Sequence, residues 1–439
     1  MTRSKSFTRR GFLRRSALSA GAAVAFPTVI TSTALGAGGR PAASDRLVGA
    51  SIGVGSMGSG DLRHLLRSKE VQMVGVCDVD SSHSDSAKKM VDGHYGNKDC
   101  KTYNDFQELI GRGDIDVCTL ALPDHWHAIP AIHAARAGID MYGQKPLARS
   151  IREGRAMADA VHRYGRVWQT GSWQRSKSKF RRACELVRNG RIGKVVRVEV
   201  GLPSGRAGKP YELCPVPKTL DYDRWLGPAP YREHANFGRG GTVHWDWRWI
   251  MDYSGGQLTD WAGHHIDIAH WGLGYDNTGP ATIEGKGEYP TDGIHDVPFK
   301  YQFTCMYDTG VEFSVGSGHY HPMGAKWIGA DGRWIHVGRR SFSASDPKIL
   351  KQKVGPEEIQ LYKTRGHMQN FIECVRSREL TITPIETALR SISVGLLGEI
   401  AMLTGRKIKW NPKTEQIIDD PGAAALLGKS YREPWTLEG

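Results

Sequence analysis

Short apolar runs alternate with helical patterns through the first large part of the chain, residues 45–171. Four runs, at 47–52, 71–77, 114–122 and 139–143, have the length and apolar content of buried strands. The segments between them repeat apolar residues at helical spacing. Strands that alternate with helices predict a parallel, doubly wound α/β sheet, with ligand-facing groups at the carboxyl ends of the strands.

The pattern changes in the second half of the chain. Residues 194–200 alternate charged residues with valine, and further alternating runs occupy residues 281–315. Residues 326–335 are typical of a hairpin with an Asp-Gly turn. This alternation predicts a second α/β domain with an open, mainly antiparallel sheet. A glycine- and proline-rich loop or lid is expected at 201–240, and a long apolar core helix at 384–403.

These patterns divide the chain into a leader, a first domain, a second domain and a tail with no predicted role. Their predicted bounds are 1–37, 45–171, 172–410 and 411–439.

Composition narrows the function classes. The chain has 439 residues, of which 39% are hydrophobic and 24% charged, as in globular proteins. The net charge of +13 falls to +7 without the six basic residues of 1–37, and the rest are scattered, so nucleic-acid binding is not predicted. Seven scattered cysteines without a Cys-x-x-Cys motif predict neither disulfides nor a cysteine zinc site. No apolar run approaches the roughly 20 residues that span a bilayer, so no membrane span is expected in the mature chain.

The leader resembles a twin-arginine export signal. It reads Thr8-Arg9-Arg10-Gly11-Phe12-Leu13-Arg14, continues through a weakly apolar stretch to Leu35, and ends in small residues. Such a leader implies recognition by the twin-arginine export machinery and a periplasmic or otherwise exported protein. The alternative is a basic, disordered N-terminus.

A glycine-rich turn follows the first predicted strand. It reads Gly53-Val54-Gly55-Ser56-Met57-Gly58, a helical pattern comes next, and Asp78 ends the second strand 20 residues after Gly58. Strand, glycine turn, helix, strand and acid form the fingerprint of a dinucleotide-binding Rossmann fold. The alternative is a glycine-rich turn that binds nothing.

The residues of this fingerprint predict the cofactor. The glycines allow a tight turn and a close approach of pyrophosphate to the backbone, and the helix N-terminus attracts its charge. The Asp78 carboxylate would bond the ribose hydroxyls and repel a 2′-phosphate, so NAD is favoured over NADP. The predicted cofactor contacts of this turn are Gly53, Gly55, Ser56, Met57, Gly58 and Asp78.

Two further strand ends carry polar motifs, Pro123-Asp124-x-x-His127 and Lys145-Pro146. Together with the glycine turn and the segment Asp260–Asp267, they resemble the Gfo/Idh/MocA oxidoreductase family over roughly residues 45–410. The resemblance implies a Rossmann domain joined to an open α/β sheet domain that mediates homo-oligomer contacts. It also implies that Asp124, His127, Lys145 and Pro146 contribute to the cofactor site.

The chain departs from the family at one motif position. The family usually shows Glu-Lys-Pro, whereas this chain has Gln144-Lys145-Pro146. Glutamine keeps the hydrogen-bonding capacity but removes a negative charge beside Lys145, which weakens the hold of the lysine on its proton.

The resemblance implies that Lys145, Asp260 and His264 act at the substrate. Oxidation of a carbinol sends a hydride to nicotinamide and the hydroxyl proton to a base. His264 is predicted to be that base, with Asp260 at helical i,i+4 spacing as its partner. Lys145 would donate to the developing alkoxide. The alternative for Asp260 and His264 is a helix face that docks on another domain.

Aromatic and polar side chains in the second half are candidates for sugar recognition, since indole faces stack on pyranose rings. The predicted substrate residues are Trp173, Arg175, Trp245, Trp247 and His265. The alternative for the tryptophans is a core cluster under the sheet. No metal site is predicted, because adjacent histidines on a helix diverge and no His-x-x-x-His motif is present.

Three functions fit the sequence. The first is an exported NAD-dependent oxidoreductase acting on a sugar, polyol or glycoside, with a tightly bound, recycled cofactor. The second is a glycosidase or lyase that uses NAD transiently through oxidation, elimination and reduction, with Tyr211, His244 or His265 as an additional base. The third is a non-catalytic carbohydrate-binding protein.

Overall fold

The computed structural model of the chain describes residues 41–208, 210–236 and 241–438. The leader at 1–37, predicted to be an export signal, lies outside these residues. The residues from Leu47 onward form one compact unit, which contains every feature described below.

The first half folds into alternating strands and helices, as its pattern predicts. The strands are β1 (Leu47–Ile52), β2 (Val71–Cys77), β3 (Lys101–Tyr103), β4 (Val117–Leu120), β5 (Asp140–Gly143) and β6 (Trp168–Thr170). The helices are α1 (Ser56–Leu66), α2 (Ser81–Tyr95), α3 (Phe106–Ile110), α4 (Ala128–Arg136) and α5 (Ile151–Arg163). All strand pairs are parallel, in the order β3-β2-β1-β4-β5-β6. The order reverses between β1 and β4, which is where doubly wound sheets bind their ligands.

Three of the five helix starts in this domain are capped by short polar side chains, and those of α1 and α4 are not. Asp80, Asp105 and Ser150 accept backbone N–H groups at the first turns of α2, α3 and α5. Helix α1 follows Gly55 without a side-chain cap. Its first N–H groups are therefore available to an anionic ligand.

The second half forms a nine-stranded mixed sheet. Its strands and those of the preceding loop are β7 (Val195–Leu202), β8 (Glu212–Leu213), β9 (Ala235–Asn236), β10 (Thr282–Glu288), β11 (Lys300–Met306), β12 (Glu312–Ser317), β13 (Gly324–Gly329), β14 (Trp334–Val337), β15 (Phe342–Ala344), β16 (Ile408–Asn411) and β17 (Gln416–Ile418). The helices are α6 (Ser178–Arg188), α7 (Tyr222–Leu226), α8 (Gly256–Trp261), α9 (Asp267–Leu273), α10 (His367–Ser377), α11 (Ile385–Thr404) and α12 (Pro421–Ala425).

Antiparallel pairing dominates this sheet. Its order is β15-β14-β13-β7-β12-β11-β10-β16-β17, and β7 with β12 is the one parallel pair formed by its described strands. The predicted hairpin at 326–335 is β13 and β14. Beyond the end of β7 at Leu202, the described part of the predicted loop at 201–240 carries only β8, β9 and α7. The open, mainly antiparallel sheet is thus confirmed.

The predicted helix at 260–273 is interrupted at its centre. Helix α8 ends at Trp261, a π-helical turn spans Ala262–Ile266, and α9 resumes at Asp267. A π-turn takes in an extra residue and rotates the side chains that follow it. The i,i+4 relation between Asp260 and His264, which assumes a regular α-helix, does not hold here.

The segment at 411–439, predicted to be an appended tail, is part of the fold. Strands β16 and β17 pair at the edge of the large sheet. Further on, Trp435 packs edge-to-face on Trp126, with ring centroids 4.7 Å apart. This last stretch therefore reaches the first domain beside the cleft described below.

Helix α11 is the one described helix long and apolar enough to cross a membrane. Its most apolar window is 83% buried within the protein. It packs against α5, β10 and the π-turn, which is the position of a core helix. The sequence analysis found no apolar segment of this length, but α11 is one. Its burial inside the domain explains its apolar composition.

Candidate active site

A cleft of about 360 Å³ opens at the carboxyl ends of β1, β2, β4 and β5. Its size is that of an ordinary small-molecule site. The predicted site residues that line it come from both halves of the chain. They are Gly53, Gly55, Ser56, Met57, Asp78, Asp124, Lys145, Trp245, Trp247 and Asp260.

The glycine turn at one end of the cleft is sterically determined. Gly53 has φ +76°, a conformation that other residues rarely adopt. A Cβ atom at Gly58 would lie 1.9 Å from the Gly53 carbonyl oxygen, so only glycine permits this close packing of α1 on the turn. Gly58 thus supports the cleft from behind rather than lining it.

The space in front of Gly55 remains open. The nearest atoms to a Cβ atom there belong to the His83 ring, at 3.6 Å. Since α1 begins here without a side-chain cap, its first N–H groups can bind the pyrophosphate of a dinucleotide. The turn and the helix start therefore fit NAD.

Asp78 holds the turn in place and faces the cleft. Its carboxylate accepts from the Val54 N–H at 2.8 Å and from the Asp80 N–H at 2.9 Å. Each oxygen has acceptor capacity left for a ribose hydroxyl. Hydrogen bonding to Asp78 also raises the pKa of His83, which outweighs the opposing effect of partial burial.

Lys145 and Asp260 form a close pair between the two domains. The Lys145 ammonium donates to Asp260 Oδ1 at 2.6 Å, and the two side chains are 10% and 17% exposed. Burial would raise the pKa of Asp260, but Lys145 and Arg248 overcome this and hold it below its usual value. The hydrogen-bond partner that the structure gives Asp260 is thus Lys145, whereas the sequence predicted His264.

His264 is not among the residues that line the cleft, but it lies near enough to Lys145 for the ammonium to influence its pKa. The residue is 3% exposed, and its ring meets those of Trp173 and Trp261 edge-on, at 6.2 and 5.4 Å. Its Nδ1 has no hydrogen-bond partner within the described structure. Burial, followed by the charges of Lys145 and Arg339, holds the pKa of His264 well below its usual value. The imidazole is neutral at physiological pH, as a proton acceptor must be.

The rings of the aromatic segment after residue 240 lie partly in the cleft and partly in the core. Trp245 is 39% exposed and Trp247 is buried, and both line the cleft. The Arg248 guanidinium lies 4.6 and 4.4 Å from their ring centroids. Trp249, by contrast, is buried in the core.

Arg175, predicted to contact substrate, lies elsewhere. It is buried and donates to both carboxylate oxygens of Asp267, at 2.8 and 2.9 Å. It also donates to Asp276, at 2.7 and 3.1 Å. These acids satisfy the guanidinium, so its role is to join the 172–176 segment to α9.

Two predicted histidines also have structural surroundings. His265 is buried with Nδ1 at 2.7 Å from the Gly201 carbonyl, and burial lowers its pKa to about 4. His127 lies between the carbonyls of Pro146 and Leu122, at 2.6 and 2.9 Å. His127 and Pro146 therefore tie two strand ends together behind the cleft instead of lining it.

Several contacts in and next to the cleft were not predicted. Gln144 lines the cleft, and its side-chain amide donates to Asp61, on α1, at 2.8 Å. His244, predicted only as a possible additional base, lies 3.2 Å from Asp80 and stacks edge-on with His83, which closes the cleft near Asp78. Asp80 could have been predicted from the sequence as the N-cap of α2. Its partner His244 could not, because it comes from a distant segment and no local pattern indicates the contact.

Family models match both halves of the chain. The model described as the NAD-binding Rossmann fold of the GFO/IDH/MocA oxidoreductase family matches residues 49–172. The model of the C-terminal alpha/beta domain of the same family matches residues 176–437.

Individual relatives are more distant. The scyllo-inositol 2-dehydrogenase (NAD(+)) of Bacillus subtilis (strain 168) is 24% identical over 332 residues, which cover 71% of this chain and 83% of the relative. A glycosyl hydrolase family 109 protein of Shewanella pealeana (strain ATCC 700345 / ANG-SQ1) is 28% identical over 169 residues. That match covers 35% of this chain and 37% of the relative.

Solved structures share the fold. Aldose-aldose oxidoreductase from Caulobacter crescentus, complexed with glycerol, superposes with a TM-score of 0.59 and 18% identity. It matches 83% of this chain and 99% of its own. The WlbA dehydrogenase from Bordetella pertussis, in complex with NADH and UDP-GlcNAcA, gives 0.60 and 15% identity over the same shares of the two chains.

Proposed function

Because the chain belongs to the GFO/IDH/MocA oxidoreductase family, we propose that it is an exported NAD-dependent enzyme that oxidises a hydroxyl of a sugar, a polyol or a glycoside. One observation carries this proposal: the Lys145–Asp260 pair, at 2.6 Å, lies in the same cleft as the glycine turn and Asp78. A proton-handling pair therefore adjoins the predicted dinucleotide site.

The cofactor would be held by the residues that already fit it. The uncapped start of α1 would bind the pyrophosphate, and Asp78 the ribose hydroxyls. When bound, NAD accepts a hydride from the carbinol carbon. Contacts from the second domain, such as His244 with Asp80, close the cleft at the Asp78 end and favour a retained cofactor.

The protein residues handle the oxygen and its proton. Asp260 keeps the Lys145 ammonium charged and oriented, so that it donates a hydrogen bond to the substrate oxygen as negative charge develops there. The neutral imidazole of His264 accepts the hydroxyl proton. The surrounding indoles of Trp173 and Trp261 exclude water from this transfer.

A redox-neutral glycosidase or lyase is the second candidate, and the similarity to the family 109 glycosyl hydrolase protein favours it. Oxidation of a ring hydroxyl acidifies the neighbouring C–H, and elimination expels the aglycone and leaves a double bond. In a glycosidase water then adds to that double bond, in a lyase it does not, and the hydride finally returns to the carbonyl carbon. Of the three additional bases considered, His244 lines the cleft. It lies at the Asp78 end, away from Lys145, so the first candidate remains the stronger.

One experiment separates the candidates. The purified protein is assayed for bound dinucleotide and then given sugars, polyols and nitrophenyl glycosides without added NAD. Substrate-dependent growth of the reduced-nicotinamide absorbance supports the oxidoreductase. Release of nitrophenol without net reduction supports the redox-neutral glycosidase. Absence of bound and bindable dinucleotide contradicts both.

Export has its own test. The leader, 1–37, is fused to a reporter that becomes active only after folded export, with Arg9→Lys/Arg10→Lys as the matched control. Reporter activity that depends on both arginines supports the twin-arginine route. Equal activity from the two fusions contradicts it.

A further inference from the structure

A guanidinium without an acidic partner lies beside the proposed catalytic groups. The Arg339 guanidinium carbon is 4.2 Å from the ring centroid of Trp261 and 4.7 Å from that of Trp173. Its Nε donates to Gln174 Oε1 at 3.0 Å. Among the described residues no carboxylate forms an ion pair with Arg339, and its other nitrogens remain available for a ligand.

The position of Arg339 links it to His264. The two indoles that support the guanidinium are the same two that surround the imidazole. Asp260, the neighbour of Trp261 in the chain, is the one described carboxylate whose charge influences the pKa of Arg339. That carboxylate is already bonded to Lys145 at 2.6 Å.

Positive charge therefore exceeds negative charge on this side of the site. The Lys177 ammonium lies over the Trp173 ring, 5.6 Å from its centroid, and has no ion pair in the described part of the chain. The Lys179 ammonium donates to the Arg339 carbonyl at 2.8 Å and fixes that backbone. Arg339 is an exposed residue whose guanidinium lies against two indoles and lacks an anion, so a ligand that supplies one can pair with it without displacing a protein carboxylate.

We propose that Arg339 forms a carboxylate subsite and that the substrate is an acidic sugar, such as a uronate. This inference rests on the proposed function and narrows its substrate class. A guanidinium offers two parallel N–H groups, which match the two oxygens of a carboxylate. Indole stacking and the bond to Gln174 hold this fork in one orientation, which suits recognition of a planar group.

The test compares matched pairs of ligands on the NAD-loaded protein. Titration calorimetry gives the affinity for several uronates, for their parent neutral sugars and for the sugar phosphates. We expect at least one uronate to bind about threefold to tenfold more tightly than its parent sugar, the effect of one oriented ion pair at an exposed guanidinium. The preference should fall as salt concentration rises.

The variants identify the residue. Arg339→Gln should abolish the uronate preference while the affinity for the parent sugar stays within about twofold, and Arg339→Lys should retain part of it. Arg340→Gln is the matched control, because this exposed neighbour makes no contact with the indoles in the described structure. Bound NAD and melting temperature, measured for each variant, show whether the fold is intact.

Three outcomes overturn the subsite: equal binding of uronates and parent sugars, tighter binding of the phosphates, or an unchanged preference in Arg339→Gln. If neutral sugars are oxidised and uronates are not, the proposed oxidoreductase stands and the subsite fails. If the protein holds neither NAD nor any sugar, both fail together.

Discussion

The side-chain amide of Gln144 donates to Asp61 Oδ2 at 2.8 Å, and both residues are buried beside Lys145. The negative charge that the family usually places before the lysine is thus moved to a carboxyl on α1. Gly171 makes room for this arrangement, since a Cβ atom there would lie 2.6 Å from Gln144 Oε1. Burial raises the pKa of Asp61 to about 6, despite the opposing effects of Gln144 and Lys145.

The raised pKa of Asp61 predicts a pH-dependent stability. Folding favours its protonated form, so this group lowers the stability of the protein as pH rises from its ordinary pKa of 3.8 to about 6. Asp61→Asn keeps the hydrogen bond and removes the charge. Its melting temperature relative to the wild type should therefore increase across this window and stay constant above it. The full effect is about 3 kcal/mol.

Thermal melts at several pH values measure this difference. If the difference in melting temperature between Asp61→Asn and the wild type does not change with pH, Asp61 titrates normally in the folded protein.

Restoring the family's charge at position 144 should conflict with Asp61. Gln144→Glu places two carboxyls where one hydrogen bond now lies, and two buried like charges cannot both ionise. We expect a loss of about 1–3 kcal/mol at neutral pH. The double variant Asp61→Asn/Gln144→Glu should regain most of it, and denaturation of all four proteins gives the coupling. Additive effects would rule out a shared charge site.

Removal of the lysine should separate catalysis from cofactor binding. Lys145→Ala deletes the donor to the substrate oxygen, and we expect turnover to fall about a hundredfold or more. The glycine turn and Asp78 are untouched, so the dinucleotide content of the purified variant should match the wild type. A variant that keeps its full rate would remove Lys145 from the mechanism.

His264 predicts the acid limb of the pH–rate profile. A base acts when unprotonated, and the pKa of this imidazole is held well below its usual value by burial and nearby cations. The rate should therefore stay level as pH falls through the ordinary histidine range and decline only below it. His264→Gln should lose turnover, whereas His162→Gln, on an exposed helix surface, should not. A decline centred on the ordinary histidine pKa would contradict this environment.

Arg175 should matter for stability and not for substrate affinity. Arg175→Met leaves Asp267, a fully enclosed carboxylate, without its partner, which costs about 3–5 kcal/mol. Lys407→Met, which breaks an exposed pair with Glu284, should change stability by less than about 1 kcal/mol. Chemical denaturation compares the two. Weaker sugar binding by a fully stable Arg175 variant would return this residue to the substrate site.

The first domain was predictable because its signals are local. Apolar runs, the glycine turn and Asp78 lie close together in sequence, and each depends on backbone geometry that its own segment determines. The second sheet followed from alternation, although β16, at the end of the predicted second domain, and β17, in what reads as a tail, were not predicted.

The sequence predicted several residues of the candidate site, but it did not predict which of them pair with each other. Lys145 and Asp260 line one cleft as the motifs implied, but no local pattern indicates their bond, because the two residues lie 115 positions apart in the chain. Arg175 was misplaced because its acidic partners, Asp267 and Asp276, lie about 90 to 100 residues away in the chain. Burial, which decided its role, is a property of the assembled core.

The packing of Trp435 on Trp126 has a consequence for how the protein is made. Both rings belong to the wall of the cleft, yet the ribosome delivers one of them more than 300 residues after the other. A nascent chain that has emerged only as far as the second sheet still lacks Trp435, so the lining of its cleft is incomplete. Capture of a dinucleotide in the complete cleft must therefore wait until translation has passed residue 435.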